Sequence, residues 1–130
     1  MKEQFIHIYE SGNKFYYSDR EMTIRHREDG PAIEWADGSK EWWFNGELHR
    51  EDGPAYEDAD GSREWYLNDE RHREDGPAIE WGDGTKAWYL NGKKLTEAEF
   101  NARMNPVTEL TLDEIAAKFG VSVEQLKIKK

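Results

Sequence analysis

The chain is 130 residues long, carries a formal net charge of −10 and contains no cysteine. Disulfides and thiolate metal sites are therefore excluded, and so strong an acidic excess repels nucleic acid and anionic lipid, both of which require cationic contacts. The start, Met1 to His7, has no apolar signal stretch, and no run reaches the length of a membrane span, so the expectation is a soluble cytoplasmic protein without membrane contacts.

The length fits one domain. Hydrophobic residues make up 36% and charged residues 35%, proportions that border on disorder, but aromatics reach 13% with six Trp. Large aromatic side chains supply burial that few aliphatics would not, and an ordered, thin fold is expected. Residues 26–94 hold nine basic and eighteen acidic groups, so nearly all the excess charge sits there.

In chain order, Ser11-Gly12-Asn13-Lys14-Phe15-Tyr16-Tyr17 reads as part of a degenerate first unit over about residues 7–25. Three full units follow, 26–48, 49–71 and 72–94, each opening on His-Arg-Glu-Asp-Gly-Pro-Ala, with His26, His49 and His72 as the first residues. A fixed 23-residue offset marks an array of stacked supersecondary units. Within unit one the spacing predicts a strand over Pro31 to Trp35, an Asp37-Gly38 turn, a strand over Lys40 to Phe44 and an Asn45-Gly46 turn. Gly30 is free to take positive φ, with Pro31 opening the strand. The fold class is mainly β: one antiparallel meander of β-hairpin repeats over 1–94, with a small helical cap over 95–130.

Thr96 with Glu99 forms a capping-box pattern for a helix to about Met104. Thr111 with Glu114 repeats it ahead of an apolar stripe of Leu112, Ile115, Ala116 and Phe119. Residues 121–130 read equally as helix or strand.

Strand alternation separates two faces. Trp42, Trp65 and Trp88 share one with Phe44, Leu67 and Leu90, a uniformly apolar set expected to be the core and to be covered by a C-terminal helix. The other carries Trp43, Tyr66 and Tyr89 beside Glu41 and Glu64 and is expected to be wet. Trp35 and Trp81 occupy a first-strand column in which the middle unit has Asp58, placing that column near the margin or on the solvent side. Trp43, Tyr66, Tyr89, Glu41, Glu64, Trp35, Asp58 and Trp81 are the candidate partner-binding residues.

Equivalent histidines lie two strands apart, about 9.5 Å, too far to share one zinc ion. Each is expected to bond a turn carboxylate or a backbone carbonyl. A tetrad needed once for catalysis but present three times is better read as bend chemistry, with Asp accepting backbone hydrogen bonds. Asp58-Ala59-Asp60-Gly61 lacks the distal Glu of a calcium loop, and no phosphate-binding or nucleophile-elbow motif occurs. No metal, cofactor or catalytic residue is assigned.

The bend, aromatic strands and Asp-Gly and Asn-Gly turns over about residues 11–94 resemble a MORN-type repeat of the same period, with a shorter stretch between Asp37-Gly38 and Asn45-Gly46 and a longer bend through His49 to Gly53. The His-Arg-Glu-Asp-Gly-Pro-Ala core, with Leu95 to Phe100 and the segment Glu109 to Ile115, is similar to that of small phage proteins with divergent MORN-variant repeats. This resemblance implies a phage-encoded, non-catalytic protein that blocks or sequesters a host protein in the bacterial cytoplasm, as an anti-defence inhibitor does; the acidic charge points to a basic surface on that partner. Two alternatives stand beside it: an acidic nucleic-acid mimic, and a scaffold or oligomerisation module. The segment from Thr111 to Ser122 also looks like the start of a helix-turn-helix or the middle of a LysM module, but too little chain follows for either. Direct nucleic-acid binding is not expected, and a homodimer through a strand edge or the aromatic face is left open.

Overall fold

The paired turn residues dictate where the chain reverses. In the computed structural model, which describes residues 3–105, Gly38, Gly61 and Gly84 have φ of +98°, +96° and +93°. Each donates its amide to the carbonyl three residues back, on Trp35, Asp58 and Trp81. Asn45 and Gly46 (φ 49° and 81°) and Asn91 and Gly92 (49° and 78°) are consecutive left-handed residues, the requirement of a type I′ hairpin turn. Gly12, at φ 97°, repeats the Gly38 geometry in the degenerate unit.

Between these turns the strands are short. A hairpin of β1 (Phe5–Ile8) and β2 (Lys14–Tyr17) begins the array. Unit one supplies β3 (Ile33–Glu34), β4 (Lys40–Glu41), β5 (Trp43–Phe44) and β6 (Glu47–Leu48). Unit two supplies β7 (Tyr56–Glu57), β8 (Arg63–Glu64), β9 (Tyr66–Leu67) and β10 (Glu70–Arg71). Unit three supplies β11 (Ile79–Glu80), β12 (Lys86–Leu90) and β13 (Lys93–Leu95), after which comes α1 (Glu97–Met104).

Among the described residues, nine strands form one antiparallel sheet in the order β1-β2-β3-β4-β7-β8-β11-β12-β13. Units one and two each add two strands to this meander, as the spacing predicts, and unit three adds three, because β13 also pairs with β12. The expected Lys40 to Phe44 strand is broken at Trp42. Its amide reaches forward to the Ala55 carbonyl, whereas Trp43 and Phe44 turn back to pair with Leu48 and Glu47. One segment thus serves two ladders and must twist between them. Unit three has no successor, and its second strand runs unbroken from Lys86 to Leu90. The first strand is also shorter than expected, Ile33–Glu34 in place of Pro31 to Trp35.

Ala32, Ala55 and Ala78, all fully buried, accept the amides of Tyr16, Trp42 and Trp65 from the preceding unit. The turn tips are tied as well. Asn13 Oδ1 accepts the Ala36 amide at 2.7 Å, Ser39 Oγ that of Ala59 at 2.9 Å, and Ser62 Oγ that of Gly82 at 2.9 Å. Thr85, in the equivalent place, turns its hydroxyl back to Asp83.

The core departs from the expected single face. Phe15, Tyr17 and Ile33 form a buried cluster with Phe5, Trp35 and Trp43 packed against it, on the face expected to be wet. Among the described residues, the other face carries a buried cluster at the far end, where Trp88 and Met104 pack against Leu90, Leu95 and Phe100. Trp42 and Trp65 are half-buried and Phe44 is exposed. In those units the ring is met by an arginine from the following bend; the last ring, having no following bend, receives α1. This helix starts at Thr96 through the expected capping box with Glu99. The stripe from Leu112 to Phe119 and the tail 121–130 lie outside the described residues.

Candidate binding surface

The repeated His-Arg-Glu-Asp-Gly-Pro-Ala segment is accounted for residue by residue. Arg50 Nε donates to Asp52 Oδ1 at 2.9 Å and its Nη1 to the Pro54 carbonyl at 3.0 Å, while Glu57 lies 3.5 Å away. Arg27 and Arg73 repeat the first two bonds with Asp29 and Pro31, and with Asp75 and Pro77. The guanidinium carbons lie 4.0, 3.8 and 3.8 Å from the ring centroids of Tyr16, Trp42 and Trp65, well inside cation–π range. Tyr16 thus stands where the full units have Trp.

This stack also explains the bend glycine. Gly30 is free to take positive φ but does not use that freedom; the positive-φ glycines are those of the turns. What Gly30, Gly53 and Gly76 provide is closeness: a Cβ would meet the arginine Cζ at 3.1, 2.9 and 3.0 Å. The Asp of the bend is likewise spent on the arginine side chain, where a backbone partner was expected.

The histidines bond differently from expectation. Nδ1 of His26, His49 and His72 accepts the amides of Asn45, Asn68 and Asn91, each at 2.9 Å, so the ring holds the type I′ turn of its own unit. Nε2 faces Glu28, Glu51 and Glu74 at 3.6, 3.6 and 4.0 Å, too long for a hydrogen bond. Those three glutamates are 59%, 84% and 73% exposed and remain available to a partner.

The eight candidate residues read from the sequence fall on one face of the sheet, but most of their polar groups face one another. The indole N–H groups of Trp35 and Trp43 donate to the two oxygens of Glu41, at 2.7 and 3.0 Å. Tyr66 donates its hydroxyl to Glu64 Oε1, to which Arg71 also donates. Arg71 bridges further to the rings of Tyr66 and Tyr89. Trp81 is 43% exposed and the rest of this set is half-buried. Asp58 is joined to a residue that alternation alone did not single out: Tyr56, in the place of Ile33 and Ile79, donates its hydroxyl to Asp58 Oδ2 at 2.7 Å. An Ile–Trp pair in the outer units is a Tyr–Asp pair in the middle one.

The opposite face presents a row of clefts, one per unit boundary. Between the first two bends, Glu28, Asp29, Glu51 and Asp52 rim a cleft of 610 Å³ floored by Trp42 and Phe44. Between the next two, Glu51, Asp52, Glu74 and Asp75 rim one of 580 Å³ floored by Trp65 and Leu67. A larger one, 830 Å³, lies at the N-terminal end over Tyr16 and Ile6. The similar volumes of the first two show one surface unit repeated. Sequence reasoning assigned this floor to the core; the legible signal was the arginine placed to stack on it. Among the described residues no three His, Asp or Glu side chains are gathered to hold a metal ion, and no helix is long and apolar enough to cross a membrane.

No protein-family model, curated protein or solved structure matches the chain.

Proposed function

We propose that the chain is a non-catalytic protein-binding array that occupies a basic surface of another protein. The observation that carries this reading is the in-register repetition of acidic-rimmed, aromatic-floored clefts along one face. A reacting centre is needed once, whereas this surface is built by duplication, and its imidazoles and guanidiniums are engaged in holding turns and bends. Aromatic side chains next to open carboxylates supply both anchoring area and charge complementarity toward a cationic partner. The MORN-type likeness agrees with a binding role, and the similarity to phage proteins extends the proposal to a phage-encoded inhibitor of a host protein, acting in the host cytoplasm.

The test is affinity capture from bacterial lysate at moderate salt, run with the native chain and with Glu28→Lys, Glu51→Lys, Glu74→Lys combined. A stoichiometric protein recovered by the first and lost with the second supports the reading. Recovery of no stoichiometric protein overturns it, and capture competed by nucleic acid would indicate a polyanion mimic instead.

A further inference from the structure

We propose that the cleft row binds an extended basic segment in the polyproline II conformation, with a Lys or Arg at every third residue. This rests on the binding-array reading above and names the chemistry of its partner.

The clefts adjoin one another, because Arg50, Glu51 and Asp52 line two of them at once. Equivalent points in successive units are two antiparallel strands apart, about 9.5 Å. Three residues of polyproline II advance about 9.3 Å and return the side chain to the same side. A β-strand repeats its facing at about 6.7 Å and an α-helix at about 5.4 Å, so neither keeps step with the clefts. Of the bend backbone donors, those of Arg27, Arg50 and Arg73 are spent on the carbonyls of Trp43, Tyr66 and Tyr89. Polyproline II asks for none, since its backbone is fully solvated.

The chemistry of each cleft suits a long cation. In every bend the Asp is bound by its arginine, whereas the Glu keeps an open carboxylate. Below it lie an apolar side chain and the part of a half-buried indole that its stacked arginine leaves open, Phe44 with Trp42 and then Leu67 with Trp65. A Lys or Arg stem lies along such a floor while its charged head reaches the glutamate at the rim. Phe44 is 41% exposed and flanked by the rings of His26 and His49, with centroids 4.5 and 6.2 Å away. That places an aromatic surface in the middle of the path.

The experiment uses the full chain and three synthetic peptides at low salt, read by calorimetry and by nuclear magnetic resonance of the Trp indole N–H groups. One peptide repeats Lys-Pro-Pro four times, the second has the same four lysines at alternate positions, and the third replaces Lys by Gln. The expected result is roughly tenfold tighter binding of the first than of the second, no binding of the third, and shifts at Trp42 and Trp65 but not at Trp35 or Trp81. Glu51→Gln, at the rim shared by two clefts, is expected to weaken binding roughly fivefold. Equal affinity for both lysine spacings would show unspecific charge attraction and overturn the proposal. So would indole shifts confined to the Trp43 face. If no peptide binds while a protein is still captured from lysate, the cleft assignment falls and the binding-array reading stands. If neither binds, both fall.

Discussion

Arg50 lies against Trp42 with its guanidinium carbon 3.8 Å from the ring centroid, and Gly53 approaches the same carbon so closely that a Cβ would come within 2.9 Å. The ring comes from one unit and the arginine from the next. Lysine cannot reproduce the planar stack together with the bonds to Asp52 and Pro54. Arg50→Lys is expected to destabilise the array by about 1–2 kcal/mol. Gly53→Ala should have an effect of similar size, about 1–3 kcal/mol, by forcing the guanidinium off the ring. Urea denaturation midpoints check both, and Gly38→Ala, where a Cβ meets nothing but φ is +98°, separates close approach from backbone strain.

His26 is the most buried of the three repeat histidines, and its Nδ1 accepts the Asn45 amide. His26→Leu leaves that amide unpaired beneath the turn and is expected to cost about 1–2 kcal/mol. Hydrogen exchange gives the specific readout. The Asn45 amide should lose protection, while Asn68 and Asn91, held by His49 and His72, should keep theirs.

Tyr56 and Asp58 form a pair that the sequence displays only as two separate departures. Tyr56→Ile strands the Asp58 carboxylate without its hydroxyl donor, and Asp58→Trp places an indole beside a phenol that has lost its acceptor. Each single change is expected to destabilise, and the double change, which recreates the Ile33–Trp35 arrangement, to recover most of the loss. A double-mutant cycle should show coupling of about 1 kcal/mol; additive losses would mean that the two positions act independently.

The periodicity and the turn chemistry were legible because Asn-Gly and Asp-Gly carry backbone instructions in the residues themselves, as Asn45-Gly46 and Asp37-Gly38 do. The capping box at Thr96 was legible for the same reason. Which face is buried was not. Alternation places Trp42 and Trp43 on opposite sides but does not say which side receives a cover, and here the cover is Arg50, eight residues onward in the next unit. The role of Gly30 is not legible, because a glycine needed for left-handed backbone and a glycine needed for closeness are the same letter. The candidate face around Glu41 was identified as a set, yet the inward pairing of Trp35 and Trp43 with that carboxylate depends on rotamers that no pattern encodes.

Stability should fall in acid for an identifiable reason. The Asp60 amide and then the Tyr56 hydroxyl hold the Asp58 carboxyl below the ordinary carboxylate range. Arg27 does the same for Asp29, the Thr85 amide for Asp83 and the Thr96 amide for Glu99. On acidification the unfolded chain takes up these protons first. The contribution is therefore complete above the unfolded values, about pH 4, and is lost as pH falls through the lower folded ones. The urea midpoint should drop below about pH 4, and Asp58→Asn should shrink that drop. At the other extreme, burial and then the bond to Glu64 push the Tyr66 phenol up to about 12. The unfolded phenol ionises near pH 10, so this contribution is present below that value and is lost as pH rises toward the folded one. Tyr66→Phe should reduce the late component of the phenolate absorbance titration, to which Tyr56 and Tyr17, also raised, contribute the rest.

Tyr56, Asp58 and Asp69 have a consequence beyond their own unit. Arrays with interchangeable neighbours invite segments of two molecules to exchange places or to join one unit out of step. Asp69, at φ 68° where the flanking units have glycine, accepts the Leu48 amide through its own carboxylate, and the Tyr56–Asp58 pair has no counterpart on either side. A chain slipped by 23 residues would bring these side chains against surfaces shaped for Ile, Trp and Gly. The middle unit thus works as an address within a repetitive text, telling each segment which copy it is during folding.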